Sequence, residues 1–146
     1  FEGRDILPLL DRYFVEVLEM VRWGRFHTLA HLTYPFRYFP SERRPADYRR
    51  WREPIDEILR TVAEKGLALE INVSGLRQPI GKTLPDLPLI RRFRELGGEL
   101  ITVGSDAHRP EDIARPIGDG LTIAKEAGFR YVAAFFGGRP ELLPIG

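Results

Sequence analysis

Short β-compatible runs separated by segments of helical period constrain this chain more than any single motif. The runs are TLAHL at 28 to 32, LALEINV at 67 to 73 and LITVGS at 100 to 105. Ahead of the first, Ile6, Leu9, Leu10, Tyr13, Phe14, Val17, Leu18 and Val21 recur at helical spacing. Ile55, Ile58, Leu59, Val62 and Ala63 do the same ahead of the second, and Leu89, Ile90, Phe93 and Leu96 ahead of the third. Gly24, Gly66 and the pair Gly97 and Gly98 stand where those helices should stop, and Pro54 suits a first turn. A fourth helical pattern from Ile117 to Ala127, closed by Gly128, leads to YVAAFF at 131 to 136. Strands alternating with helices imply right-handed crossovers, so the expectation is an α/β domain of about four parallel strands with intervening helices. TYPFRYFP and SGLRQPIGKTLPDLP read as loops from their prolines and glycines.

The 146 residues fit one domain, and neither a repeat nor a low-complexity linker divides them. With 22 Lys and Arg against 21 Asp and Glu, the net charge of +1 sets up no field that draws nucleic acid or acidic lipid. The absence of cysteine excludes disulfides and thiolate metal sites. No apolar run approaches the roughly 20 residues of a membrane span, and the first residues lack a signal-peptide pattern. A cytoplasmic protein without a membrane or nucleic-acid partner is the expectation. The chain opens on Phe1 and its one methionine is Met20, so a piece of something longer is expected.

In parallel α/β folds, ligands gather at the C-terminal ends of the strands, where the connecting loops converge. His31 falls at the end of the first run, Glu70 and Asn72 near the end of the second with Ser74 and Arg77 just beyond, and Asp106 and His108 after the third. All share one rim. One residue separates Asp106 from His108, so in extended backbone both side chains leave the same side. A carboxylate oxygen and an imidazole nitrogen converging there suit Zn²⁺, Mn²⁺ or Fe²⁺. D-x-H also suits a turn cap beside a surface histidine, and His31 a hydrogen-bonded core position. Arg77 has the fork geometry for phosphate or carboxylate, or for a surface ion pair. His27, at the opposite rim, reads as structural or exposed. Lys82 in PIGKT lacks a Walker context. In SERRPADYRRWRE the acids Glu42, Asp47 and Glu53 dilute Arg43, Arg44, Arg49, Arg50 and Arg52, which favours a solvated helix entrance over a nucleic-acid surface.

LEINVSGLR, then LGGELITVGSDAH some thirty residues on, then a GF-x-Y-x-x-x-F strand, resemble the C-terminal half of the histidinol-phosphate phosphatases of the polymerase and histidinol phosphatase (PHP) superfamily. LAHLTYPFRY is similar to that family's earlier histidine-ended strand. The resemblance implies the C-terminal portion of a distorted (βα)7 barrel with up to three divalent metals, Zn, Mn or Fe, at its mouth. It also implies hydrolysis of L-histidinol phosphate, a small phosphate ester, in histidine biosynthesis. Carried over by position, His31, Asp106 and His108 resemble metal ligands. Asp106 and His108 also carry the catalytic role, and Arg77 resembles a phosphate-binding arginine, with Arg109 and Arg115 assisting.

The family's opening H-x-H motif, further histidines and a bridging glutamate have no counterpart here, and Thr33 stands where many relatives carry an aspartate. Three ligands cannot hold three metals, and a half-barrel would leave sheet edges open. The expectation is therefore a partial PHP domain over 1 to 146, inactive alone or active only with a second copy or a missing N-terminal segment. Two other readings stand beside it: another PHP phosphoesterase or nuclease, and a non-catalytic oligomerising module.

Overall fold

A computed structural model describes residues 6 to 39, 41, 44 and 47 to 146. Helix α1 (Leu7–Trp23) buries Leu10, Phe14, Val17, Leu18 and Val21, the stripe set by its helical spacing, and stops at Gly24 in the left-handed conformation. Strand β1 (Thr28–Leu29) is shorter than TLAHL because His31 turns to a φ of 62° and leaves the ladder. TYPFRYFP is ordered as a 3-10 helix over Tyr34–Tyr38. Helix α2 (Arg52–Glu64) takes Pro54 in its first turn and buries Ile55, Ile58, Leu59 and Val62.

Strands β2 (Ala68–Asn72) and β3 (Ile101–Gly104), joined through helix α3 (Leu87–Glu95), complete a parallel sheet of order β1-β2-β3. The register pairs Thr28 with Ala68, Leu69 with Ile101 and Asn72 with Gly104, so the ends of β2 and β3 lie side by side while β1 stops opposite Leu69. Central β2 is covered on both faces, as parallel strands require: Ala68, Leu69, Ile71 and Asn72 are all fully buried. On one flank Phe14, Phe36 and Trp51 pack ring against ring at 5.6 to 6.4 Å, and the Trp51 indole donates to Asp11 at 2.7 Å. Helix α4 (Ile117–Glu126) lies close on the sheet at Gly120, where a Cβ would stand 2.6 Å from Val103 and 2.7 Å from Val73.

The expectation of about four parallel strands needs correction. The sheet holds three, and YVAAFF, as β4 (Tyr131–Phe136), pairs antiparallel with β5 (Arg139–Pro144) in a separate hairpin. Gly137 and Gly138, at φ of 55° and 78°, supply the two-residue turn that right-twisted antiparallel strands favour. Pro140 and Pro144 lack the N–H that a central strand would need. The His27 ring packs on Phe135 at 5.1 Å and ties the hairpin to the N-terminal end of β1. Among the described residues no helix is long and apolar enough to cross a membrane.

Candidate functional site

The parallel register delivers Glu70, Asn72, Asp106 and the His31 turn to one end of the sheet. Both His31 and Asp106 lie just past a strand and take left-handed backbone, with φ of 62° and 47°. The His31 carbonyl accepts the Tyr13 hydroxyl at 2.9 Å, and its N–H donates to Glu70 Oε2 at 3.2 Å. Its imidazole lies 4.6 Å from the Tyr34 ring, with Nε2 3.4 Å from Asn72 Nδ2 and 3.8 Å from Glu70 Oε2. Burial pushes the Glu70 carboxyl up, against the opposing pull of His31. Burial likewise raises Tyr13 to about 12, so its hydroxyl stays a donor at neutral pH. Asn72 Oδ1 accepts the backbone N–H of Ser74 at 3.0 Å and its hydroxyl at 2.6 Å, which shapes the turn out of β2.

Asp106 Oδ1 lies 3.5 Å from His108 Nε2. Its Oδ2 lies 3.5 Å from Arg37 Nη1, yet both atoms are buried without a hydrogen-bond partner. The Asp106 side chain is 16% exposed and that of His108 84%, so the first is fixed and the second free to turn. Arg37 stacks over the rings of Tyr34 and Tyr38 at 4.3 and 5.2 Å. The Tyr34 and Tyr38 hydroxyls share a hydrogen bond at 3.1 Å, the leading cause of a raised Tyr34 pKa, with burial second.

Arg77 sits at the end of a 3-10 turn over Ser74–Arg77. One of its amino groups donates to the Ser105 carbonyl at 2.9 Å, Nε lies 3.5 Å from Asp112, and Nη1 is buried with no acceptor. A cleft of about 570 Å³ joins Arg37, Arg77, Asp106, His108 and Arg109 with Ser74, Gln78 and Asp112. Arg115 lines an adjoining cleft that shares Arg77 and Asp112. His31 pairs instead with Glu70 and Asn72, and among the described residues no group of three or more His, Asp or Glu is close enough to hold a metal ion. The donors that suit a divalent metal stand apart, His31 beside Glu70 and Asp106 beside His108, rather than as a closed set.

Arg37 and Glu70 are what reading the sequence missed. Glu70 was placed on the rim without a role, and Arg37 lies in an aperiodic loop where only the spacing of Tyr34 and Tyr38 hints at a held guanidinium. Three arginines of the basic stretch have partners within the chain. Arg44 donates to the Phe36 and Phe39 carbonyls, Arg49 pairs with Asp47 and Arg50 with Asp11, while Glu42 and Arg43 lie outside the described residues. Lys82 is taken up by Asp86 at 2.7 Å.

No family model matches the chain. Among curated relatives, it is 38% identical over 121 residues to a probable histidinol-phosphatase of Thermotoga maritima, a match covering 83% of this chain and 49% of that protein. It is 33% identical over 126 residues to the histidinol-phosphatase of Lactococcus lactis, covering 86% and 46%. The crystal structure of the Lactococcus lactis histidinol phosphate phosphatase, complexed with zinc, L-histidinol and phosphate, superposes with a TM-score of 0.79 at 28% identity, over 97% of this chain and 54% of that one. The chain thus spans about half the length of the relatives it matches, and over that length it is similar to histidinol-phosphatases.

Proposed function

We propose that the chain is the C-terminal portion of a PHP-type barrel and supplies the phosphate-gripping side of a metal-dependent phosphatase that hydrolyses L-histidinol phosphate to L-histidinol and phosphate. The observation that carries this reading is a pair of buried guanidinium nitrogens, Arg37 Nη1 and Arg77 Nη1. Neither has an acceptor, and both residues line the cleft that holds Asp106 and His108. A buried unpaired donor is costly, and a phosphate oxygen is the acceptor a guanidinium serves best. Arg77 has its remaining nitrogens tied to Ser105 and Asp112, so it presents Nη1 in a fixed direction. Arg37 is stacked on Tyr34 and Tyr38 and lies 3.5 Å from Asp106.

Asp106 and His108 would serve as two ligands of a divalent metal, and His31, held by Glu70, would be a third. The rest of the ligand set comes from outside the described residues. A metal held there lowers the pKa of water toward neutrality and offsets charge on the phosphoryl group. The chain's own part is to bind the non-bridging oxygens with Arg37 and Arg77 and so orient the ester for in-line attack. Arg109 and Arg115, at the mouth of this cleft and its neighbour, add positive potential for an anionic substrate.

Zinc titration by calorimetry tests the ligand assignment. The wild-type chain takes up zinc, whereas Asp106→Ala and His108→Ala each weaken uptake by about tenfold or more. Equal zinc affinity in all three proteins removes Asp106 and His108 from the metal site.

A further inference from the structure

Glu70 is a carboxylate placed where a parallel strand ordinarily carries an apolar residue. It stands inside central β2, its side chain is 15% exposed, and among the described residues no lysine or arginine pairs with it. Its contacts are the His31 N–H at 3.2 Å, the Asn72 amide at 3.4 Å and His31 Nε2 at 3.8 Å. Gly104 adds an independent observation. It lies within β3 and its φ is not positive, so no backbone requirement explains it. What a side chain there would meet is Glu70: an added Cβ would stand 2.4 Å from Oε1 and 3.2 Å from the carboxyl carbon. The space that Gly104 leaves is the space the carboxylate occupies.

The partner most in need of that carboxylate is His31. A left-handed backbone is disfavoured for a side-chain-bearing residue and persists only where its surroundings hold it. At His31 the hold comes from two sides, Glu70 accepting the N–H and Tyr13 donating to the carbonyl.

We propose that Glu70 is a positioning residue for His31, and that Gly104 is glycine to admit it. The carboxylate fixes the left-handed turn and sets the imidazole against Tyr34, with Nε2 beside Asn72. The inference rests on the reading of His31 as a metal-site residue only for its purpose, not for its geometry. Carboxylates that orient a ligating histidine characteristically change metal affinity by about 10- to 100-fold when removed.

Glu70→Ala, Gly104→Ala and the double variant test this through two readouts on the full chain. The first, without metal, is the NMR cross-relaxation between the His31 and Tyr34 rings, with His31→Gln identifying the histidine signal. The second is zinc affinity. The expected result is loss of the His31 to Tyr34 contact and zinc binding weakened about tenfold or more in each single variant. Gly104→Ala should add nothing in the Glu70→Ala background, because the carboxylate it displaces is already gone. A contact that survives in Glu70→Ala overturns the proposal, as does a Gly104→Ala effect of full size in the double variant. If Gly104→Ala does not fold, Glu70→Ala alone decides through the ring contact. If the wild-type chain takes up no zinc, the metal reading falls, while the ring contact still decides the positioning role.

Discussion

Side-chain-bearing residues with positive φ are uncommon, and His31 and Asp106 both adopt it immediately beyond neighbouring parallel strands. Each such residue stores about 1 to 3 kcal/mol of strain, which a fold retains where the resulting aim of the side chain matters. Their neighbours carry a second cost. Arg37 Nη1, Arg77 Nη1 and Asp106 Oδ2 are buried without hydrogen-bond partners. Arg37 beside Asp106 and Arg77 beside Asp112 each keep one donor over, which a phosphate oxygen would take up. Arg37→Met and Arg77→Met should each weaken binding of inorganic phosphate to the zinc-treated chain by about ten- to a hundredfold, the worth of a charge-assisted hydrogen bond. Arg91→Met, on the exposed side of α3, should leave it unchanged. Isothermal titration reads both, and equal losses in all three variants would reduce the arginines to general electrostatics.

Elements decide whether those residues meet. The alternation in LALEINV and the run LITVGSDAH made the rim legible, because a parallel register carries each strand's last residues to the same edge. His31, Asn72, Arg77 and Asp106 therefore appear together in both sequence and structure. Arg37 did not, since its place depends on a 3-10 turn whose partner lies sixty-nine residues away, beyond any local period. The hairpin had a signal in Gly137 and Gly138, but Pro140 and Pro144 in RPELLP masked the second strand. Gly104 has no local period to mark it, because the group its missing side chain makes room for is Glu70 on the neighbouring strand. Packing at this scale is testable at Gly120. Gly120→Ala forces a methyl onto Val73 and Val103, which as β-branched residues cannot rotate away, and should cost about 1 to 3 kcal/mol in chemical denaturation. The forked pair of Arg92 with Asp56, at 2.9 and 2.8 Å, links α3 to α2 and holds the Asp56 carboxyl below the usual carboxylate range. A lowered folded-state pKa stabilises the fold above the unfolded value of 3.8 and ceases to as pH falls through the folded value. Asp56→Asn should therefore destabilise by about 1 kcal/mol at neutral pH, with the gap from wild type closing in acid. A gap that stays constant with pH would mean that the pair contributes nothing through its charge.

At the scale of the whole molecule, the described core and the described site differ in how far they close. The core runs unbroken from α1 to α4, yet Leu142, Leu143, Phe136 and Tyr131 on the hairpin and Trp23 on α1 stay largely exposed. The cleft holds Arg37 and Arg77 beside Asp106 and His108, with His31 outside its lining, and among the described residues there is no closed metal set. Its relatives extend to about twice the matched length. The central claim is that this chain grips the phosphate and requires further ligands, from another copy or another segment, to hydrolyse it. Phosphate release from L-histidinol phosphate with Mn²⁺, followed across a range of chain concentrations with the assembly state measured alongside, tests that claim most directly. The account requires that the monomer show no turnover, even where it takes up metal and phosphate. Robust turnover by the monomer would contradict it.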